Sequence, residues 1–471
     1  MPAPLLIASN RGPLSHREDG RGALATVRGG GGLVSALGGM AAPGSTTGST
    51  LWVCAALSEA DRRAARASHG AVAPGVQMLD IDPVTFDRAY NGVANSTLWF
   101  VAHLLYDTAR EPVFDARTRR EWQAYRTYGQ AFAGALAEAA APGAAVLVQD
   151  YHLALTPAQL RALRPDLRIG HFSHTPWAPP EYFRLLPDDV ARDVLLGMLG
   201  ADAVGFHSTR WADAFVRCCA QVLGAEVTAT SVAYAGRSTR VAVHPLGVDA
   251  AELRARCAQD DVQRRLPALR ELVGDRQLLL RIDRTELSKN IVRGLEAYRE
   301  LLRTRPEWHR RVVHLALAYP SRHDLPEYRA YTGAVQRVAR EVNEQYAADG
   351  WVPVHLEVRD DYPRSLAAYT LADVLVVNPL RDGMNLVAKE GPVLSSRGVS
   401  LVLSRQAGAA DELGADAHLV NPFDVSQTAE AMHEALSTPA EVRSARTARL
   451  AAAATALPPT AWLEAQLAAL S

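Results

Sequence analysis

Asp382, Asn385 and Glu390 stand within one short run, Asn378-Pro379-Leu380-Arg381-Asp382-Gly383-Met384-Asn385-Leu386-Val387-Ala388-Lys389-Glu390, directly after the apolar segment Val374-Leu375-Val376-Val377. The apolar segment reads as a strand buried on both faces, the Pro/Gly-bearing loop as its exit, and the apolar residues beyond as a helix start. Such a corner gathers a carboxylate and several backbone amides beyond the C-terminal end of a strand, where an open α/β sheet holds its ligand. Helix capping by the Asp and Asn is the plainer reading, and an isolated Asp-Gly-x-Asn would carry no more than that.

Lysine usage marks the same place independently. Of 50 basic residues only two are lysine, Lys289 and Lys389. With arginine used everywhere else, the two lysines are expected where a compact ammonium does what a planar, five-donor guanidinium cannot. Lys389 lies in the run above. Lys289 closes Arg281-Ile282-Asp283-Arg284-Thr285-Glu286-Leu287-Ser288-Lys289, after the strand-like Leu278-Leu279-Leu280. The alternative is two lysines left on solvated faces.

The elements that must position these residues form two series. Strand-like segments at 5–9, 51–55, 76–81, 146–149, 169–172, 204–206 and 241–244 alternate with helical patterns, among them 121–140 and 211–223. A second set follows at 277–282, 312–318, 354–357, 374–377, 401–404 and 418–420, with a long helix from 325 to about 348. Alternation of this kind predicts an α/β fold with mostly parallel, doubly wound sheets. Pro245-Leu246-Gly247 reads as a hinge, and Leu457-Pro458-Pro459 breaks an alanine run before a last amphipathic helix. The expected domains are therefore 1–245, to which 457–471 crosses back, and 246–456.

With 471 residues, 48% hydrophobic and 21% charged, the chain can bury more than one core. Its net charge of -1, with the signs interleaved, gives no electrostatic footprint for nucleic acid or an anionic membrane. The N-terminus lacks the pattern of a signal peptide, and no apolar span approaches ~18 residues, so a cytoplasmic protein is expected. Cys54, Cys218, Cys219 and Cys257 lack metal or redox spacing, and no His/Asp/Glu cluster has metal-ligand spacing; neither a metal nor another cofactor is expected.

Other candidates fall at strand ends. Ser9-Asn10-Arg11 follows the first strand. Arg28-Gly29-Gly30-Gly31-Gly32-Leu33 would open a helix over 33–40, where glycines admit a phosphate oxygen to backbone amides, although a Gly run alone is more often a flexible turn. Tyr90 and Trp99 bound Tyr90-Asn91-Gly92-Val93-Ala94-Asn95-Ser96-Thr97-Leu98-Trp99 and by residue type alone suit a core. Asp150, in Gln149-Asp150-Tyr151-His152, projects at a sheet edge or caps the next helix. His174 follows 169–172, where an isolated histidine is more often structural. Arg322, in Tyr319-Pro320-Ser321-Arg322, offers the planar fork that bidentate phosphate binding needs; a surface Arg is the alternative.

Six such motifs, in order and over essentially the whole chain, resemble the trehalose-6-phosphate synthase family, with ten consecutive matching residues from Arg381 to Glu390. The resemblance implies the GT-B architecture, two Rossmann-like domains facing each other across a cleft. It implies a retaining, metal-independent glucosyltransferase that makes trehalose 6-phosphate from a nucleoside-diphosphate glucose and glucose 6-phosphate. The family mechanism is front-face substitution, the leaving phosphate taking the acceptor proton. By the same resemblance Asp382 and His174 hold the glucose, and Arg284 and Lys289 neutralise the diphosphate. Gly31, Gly32 and the amides of Asn385, Leu386 and Val387 meet the donor phosphates, with Gly383 and Met384 in the same donor loop, and Glu390 takes the ribose hydroxyls. Arg11 and Arg322 grip the acceptor phosphate, Tyr90 contacts it, Trp99 walls the acceptor ring, and Asp150 meets its hydroxyls.

Three departures bear on the substrates. Trp52-Val53-Cys54-Ala55 replaces the family's Trp-x-Gly-Trp, Thr285-Glu286-Leu287 replaces Leu-Asp-Tyr, and Asn290 replaces a Gly. They resemble the subgroup that includes pseudoglycosyltransferases joining amino-cyclitols, whereas the intact Arg381-Asp382-Gly383-Met384-Asn385 argues for glucose transfer. In Val358-Arg359-Asp360-Asp361-Tyr362 the family more often has an apolar residue at Asp360. A carboxylate accepts from the adjacent N–H and NH2 of guanine but from only one N–H of uracil, so GDP-glucose is the favoured donor and UDP-glucose the second. The alternatives are a related synthase using another phosphorylated acceptor and a non-catalytic sugar-phosphate sensor. A homo-oligomer is the one macromolecular partner left open.

Overall fold

A computed structural model of the chain describes residues 2–20, 22–28 and 50–471. The chain divides into two units, Met1–Pro245 with Pro459–Ser471, and Leu246–Pro458. Gly31, Gly32 and the helix expected over 33–40 lie outside the described residues.

The first unit contains β1 (Ala3–Ser9), β2 (Leu14–Glu18), β3 (Leu24–Arg28), β4 (Thr50–Ala55), β5 (Ala71–Ala73), β6 (Val76–Leu79), β7 (Ala140–Gln149), β8 (Arg168–Ser173), β9 (Ala203–Phe206), β10 (Glu226–Thr228), β11 (Ser231–Tyr234) and β12 (Arg237–Val243). Ten of these form one sheet in the order β10-β11-β12-β9-β8-β7-β1-β4-β6-β5. It is parallel from β12 to β6 and antiparallel at both margins. Leu6 and Ile7 of β1 and Val146 and Val148 of β7 are fully buried, as strands covered on both faces require. β2 and β3 pair as an antiparallel hairpin where the sequence reads as a polar loop, and the strand expected at 241–244 begins at Arg237. The last helix, Pro459–Ala468, packs in this unit: buried Trp462 donates its Nε1–H to His244 O at 3.0 Å and meets Phe172 edge-on at 4.9 Å.

The second unit holds β13 (Gln277–Arg284), β14 (Val312–Tyr319), β15 (Val354–Val358), β16 (Val374–Val377), β17 (Ser400–Ser404) and β18 (His418–Val420), all parallel, in the order β15-β14-β13-β16-β17-β18. Strand alternation divides the core cleanly. Leu278, Leu280, Leu315, Leu375 and Leu401 point to one face and Leu279, Val374, Val376 and Val402 to the other. The helix Pro326–Tyr346 covers the second face through Val335, Val338 and Val342; Tyr362–Leu371 covers the first through Leu366 and Tyr369. No helix of the described residues is long and apolar enough to cross a membrane.

Counted along the chain, the parallel part of the first sheet reverses its strand order between β1 and β7, and the second sheet between β13 and β16. Loops leaving the C-terminal ends of such a pair diverge to opposite faces and leave a crevice where doubly wound sheets bind ligands. Asn10 and Asp150 leave the first pair; Arg284 and Asn378 leave the second.

The loop after β16 is held by its neighbour after β17. Asp382 donates its N–H to Gln406 O at 3.2 Å, Gly408 donates to Asp382 O at 3.1 Å, and Ala409 to Met384 O at 2.8 Å. A Cβ on Gly408 would overlap the Gly383 carbonyl. Gly408→Ala is therefore expected to destabilise the second unit by about 2 kcal/mol through this backbone overlap, read as a lowered midpoint of thermal unfolding; an unchanged midpoint would refute the packing argument.

Candidate functional site

In the second unit, β13 and β16 deliver charge to the reversal point. Arg281, 1% exposed, donates to Asn378 Oδ1 and to Lys289 O (3.5 Å) and lies 3.7 Å from Asp283 Oδ2, which ties the exits of both strands together. Beyond β13 the chain makes a tight turn through Leu287–Lys289 and passes Asn290 at φ 57°, the left-handed region that glycine enters without penalty and asparagine tolerates best among the others. The Asn290 amide donates to Asn378 O at 3.0 Å and Pro422 O at 2.7 Å, so this departure from the family pattern replaces a flexible residue with a tethered one.

Lys289 Nζ meets Asp382 Oδ2 at 2.6 Å, with both side chains largely buried. Burial would lower the ammonium pKa, but Asp382 and Asp283 outweigh it and hold it above its ordinary value. Asn385, at φ 88°, donates from Nδ2 to Asp382 at 3.0 Å and accepts from Ala388 N at 3.2 Å, which ties the loop to the first turn of the helix Val387–Leu394. Met384 is buried in the core, so it has its backbone rather than its side chain to offer a ligand. One turn into the helix, Glu390 accepts from the Tyr369 hydroxyl at 2.9 Å; burial pushes its carboxyl up to about 7 against the pull of that bond. Arg284, 48% exposed at its side chain, lies 2.9 Å from Glu286 Oε1, and Arg322 lies 3.8 Å from the same atom. Asp360 is exposed just past β15, and its neighbour Asp361 caps the next helix by accepting from Arg364 N at 3.0 Å.

In the first unit, Trp52 Nε1 donates to Ser9 Oγ and Ser9 Oγ to Arg11 O, both at 2.7 Å, so the exposed Arg11 leaves a fixed turn. Gly12 is needed there, because a Cβ would overlap Cys54 Sγ. Asp150 takes φ 73°, rare for aspartate; its Oδ1 accepts from His174 N at 3.2 Å. The His174 ring is engaged at both nitrogens, Nε2 at 2.9 Å from Gln149 Oε1 and Nδ1 at 3.1 Å from His207 Nε2, and burial with the nearby His171 lowers its pKa to about 3. It is a neutral ring. Tyr90, on the π-helix Arg88–Leu98, stacks between Phe86 (5.2 Å) and His152 (5.6 Å). Trp99 is 7% exposed and packs on His103 at 3.9 Å and Tyr151 at 5.7 Å.

Arg284, Lys289, Asp382, Asn385 and Arg322 thus gather in the second unit, with Glu390 one helical turn beyond the donor loop. Asp150 and His174 touch in the first, and the described residues leave Gly31 and Gly32 untested. Sequence reasoning passed over Gln149, His152, His207, Ser321 and Glu286. His207 carried the strand-end signal that singled out His174, and Glu286 stood in view as a departure. Among the described residues no group of three or more His, Cys, Asp or Glu side chains comes together as a metal site.

The family model for glycosyltransferase family 20 matches residues 4–471. A bifunctional trehalose-6-phosphate synthase/phosphatase of Thermoproteus tenax is 36% identical over 366 residues, 77% of this chain and 49% of that protein. The UDP-forming alpha,alpha-trehalose-phosphate synthase 2 of Aspergillus niger is 34% identical over 459 residues, 95% of this chain and 92% of its own. A crystal structure of a UDP-forming alpha,alpha-trehalose-phosphate synthase from Burkholderia vietnamiensis superposes with a TM-score of 0.84 at 28% identity, covering 99% of each chain. The chain spans about half the length of the bifunctional protein and of other curated relatives it matches.

Lys389 corrects the lysine argument. The helix Val387–Leu394 turns it inward, where it is 0% exposed, donates to Leu246 O at 2.8 Å and pairs with Glu412 Oε2 at 2.6 Å. A compact ammonium is needed there for packing, not for a ligand. Lys389→Ala leaves Glu412 and the Leu246 carbonyl without their cation and is expected to cost about 3 kcal/mol, seen as a lowered midpoint in thermal melts; an unchanged midpoint would refute the packing role.

Proposed function

Because the chain belongs to glycosyltransferase family 20, we propose that it transfers glucose from a nucleoside-diphosphate glucose to glucose 6-phosphate, forming trehalose 6-phosphate with retention at the donor carbon. The observation that carries this reading is the convergence of Arg284, Lys289 and Arg322, three cations at or just past the ends of β13 and β14, around Glu286 and Asp382. Clustered cations of this kind suit a diphosphate. Arg284 and Lys289 neutralise the charge that grows on the leaving group. Asp382, now paired with Lys289, accepts glucose hydroxyls once the diphosphate shares the ammonium, and Glu390 accepts from the ribose. Arg11, Tyr90, Asp150 and Trp99 serve the acceptor, and Arg322 its phosphate. Neutral His174, its ring fixed by Gln149 and His207, serves the transferred glucose.

In the transfer, the bond from the anomeric carbon to the diphosphate oxygen breaks with its electron pair going to that oxygen. The acceptor hydroxyl oxygen bonds to the same carbon from the same face, and its proton passes to the departing phosphate oxygen. The reaction as written needs no carboxylate nucleophile.

The donor base follows the Aspergillus niger and Burkholderia vietnamiensis relatives, which are named UDP-forming. UDP-glucose is therefore proposed in place of the GDP-glucose that Asp360 suggested; at its exposed position water competes for either base. The test is nucleoside diphosphate release from UDP-glucose and from GDP-glucose, each with and without glucose 6-phosphate. Release that depends on glucose 6-phosphate and is faster with UDP-glucose is expected. Release equally fast without it would exclude the synthase, and a GDP-glucose preference lost in Asp360→Ala would reinstate guanine recognition.

Glu390 adds a pH signature. Its folded pKa of about 7 lies above its ordinary value of 4.5, so the stability it contributes is full below 4.5 and is lost as pH rises through about 7. Ribose hydroxyls donating to the carboxylate favour its ionised form, so UDP binding near pH 7 is expected to release a proton. Calorimetry in buffers of different ionisation enthalpy measures this; release persisting in Glu390→Gln would assign the proton elsewhere.

A further inference from the structure

Glu286 has no place in the roles above, yet the site is built around it. It is 0% exposed. Its Oε1 accepts from Ser321 Oγ at 2.7 Å and faces Arg284 Nη1 at 2.9 Å and Arg322 Nη1 at 3.8 Å, while Oε2 has no hydrogen-bond partner among the described residues. Its backbone N–H donates to Arg284 O at 2.7 Å and its carbonyl accepts from Lys289 N at 3.0 Å, so it sits at the centre of the turn that carries both. Burial alone would raise its pKa, but Arg284, Arg322 and Lys289 outweigh that and hold it down to about 2. Arg322 leaves a backbone at φ 48° and donates to the Tyr328 hydroxyl at 2.6 Å, so two groups, Tyr328 and Glu286, fix its direction.

A buried carboxylate with one oxygen unpaired is costly to keep. The length of the glutamate side chain carries Oε1 to Ser321 and toward Arg322. We infer that Glu286 is a positioning residue that aims two guanidinium groups at once, Arg284 toward the donor diphosphate and Arg322 toward the acceptor phosphate. The inference rests on the roles proposed above for those two arginines.

Charge and geometry predict opposite signs here. If Glu286 only diluted the positive potential, neutralising it would tighten both anions. If it aims the arginines, its loss weakens both although a negative charge has gone.

The experiment is calorimetric titration of the full chain with UDP and, separately, with glucose 6-phosphate, in the parent, Glu286→Gln, Glu286→Asp and Ser321→Ala. Glu286→Gln is expected to weaken both ligands about tenfold, the scale of a misaligned charge-assisted hydrogen bond. Glu286→Asp draws the carboxylate back from Arg284, Ser321 and Arg322 together, since all three face the same Oε1, and should weaken both ligands by a similar factor. Ser321→Ala keeps the carboxylate and its pairing with Arg284, and should weaken glucose 6-phosphate alone. A uniformly structural role would not split the ligands in this way. Unchanged or tighter binding of both ligands by Glu286→Gln overturns the inference. Should that variant not fold, Ser321→Ala decides, because it keeps every charge: weaker glucose 6-phosphate with unchanged UDP supports the inference, and no change in either overturns it. A parent protein that binds neither ligand would instead overturn the assignment of the arginines, and the inference with it.

Discussion

Arg281 is the constraint on which the second unit's site depends. A guanidinium removed from water carries a desolvation penalty of several kcal/mol, which opposite charge and hydrogen bonds must offset. Asn378 and the Lys289 carbonyl accept from its two terminal nitrogens and Asp283 supplies the opposite charge, while Nε has no hydrogen-bond partner among the described residues. Gly294 lets the following helix close over the guanidinium, since a Cβ there would stand 3.1 Å from Arg281 Cζ. Asp283 shows the tension in the arrangement. Burial lifts its carboxyl to about 6 even though Arg281 and Lys289 pull it down. Charges held this way cannot wander, and Lys289 and Asp382 inherit that fixity.

The two units solve the same topological problem with different chemistry. In the second, the reversal is filled with ion pairs; in the first it is filled with rings and neutral dipoles, Tyr90 on His152 and His174 between Gln149 and His207. Unusual backbone marks both places. Asp150, Asn290, Arg322 and Asn385 all take positive φ, and each lies beside a group assigned to substrate. Strain of this kind persists where surrounding contacts over-determine it.

Much of this was legible in the sequence, for physical reasons. Leu278-Leu279-Leu280 and Val374–Val377 announced buried parallel strands because nothing else explains short runs apolar on both faces, and the residues just past them had to reach the crevice. Hidden were features that depend on partners far along the chain. β2 is polar at four of its five positions and offers no apolar alternation; β10 is three exposed residues. Lys389 was placed correctly in the chain and wrongly in space, since one position of a helix decides whether a side chain meets solvent or core. Gln149 and His207 come to His174 from 25 and 33 residues away, beyond any local pattern.

The π-helix Arg88–Leu98 has a consequence for how this chain can tolerate change. Each turn of such a helix carries an extra residue relative to an α-helix, so its register is a local option rather than a fixed property of the sequence. A single-residue deletion there would let one turn relax to α geometry, so that the residues of that turn move around the axis while the helix beyond it keeps its register. Tyr90 would leave its stack between Phe86 and His152, while Asn95, which accepts from Tyr151 at 2.9 Å, could stay. In a lineage, then, one indel in this segment would remake the ring stack around Tyr90 with no substitution at Phe86, Tyr90 or His152.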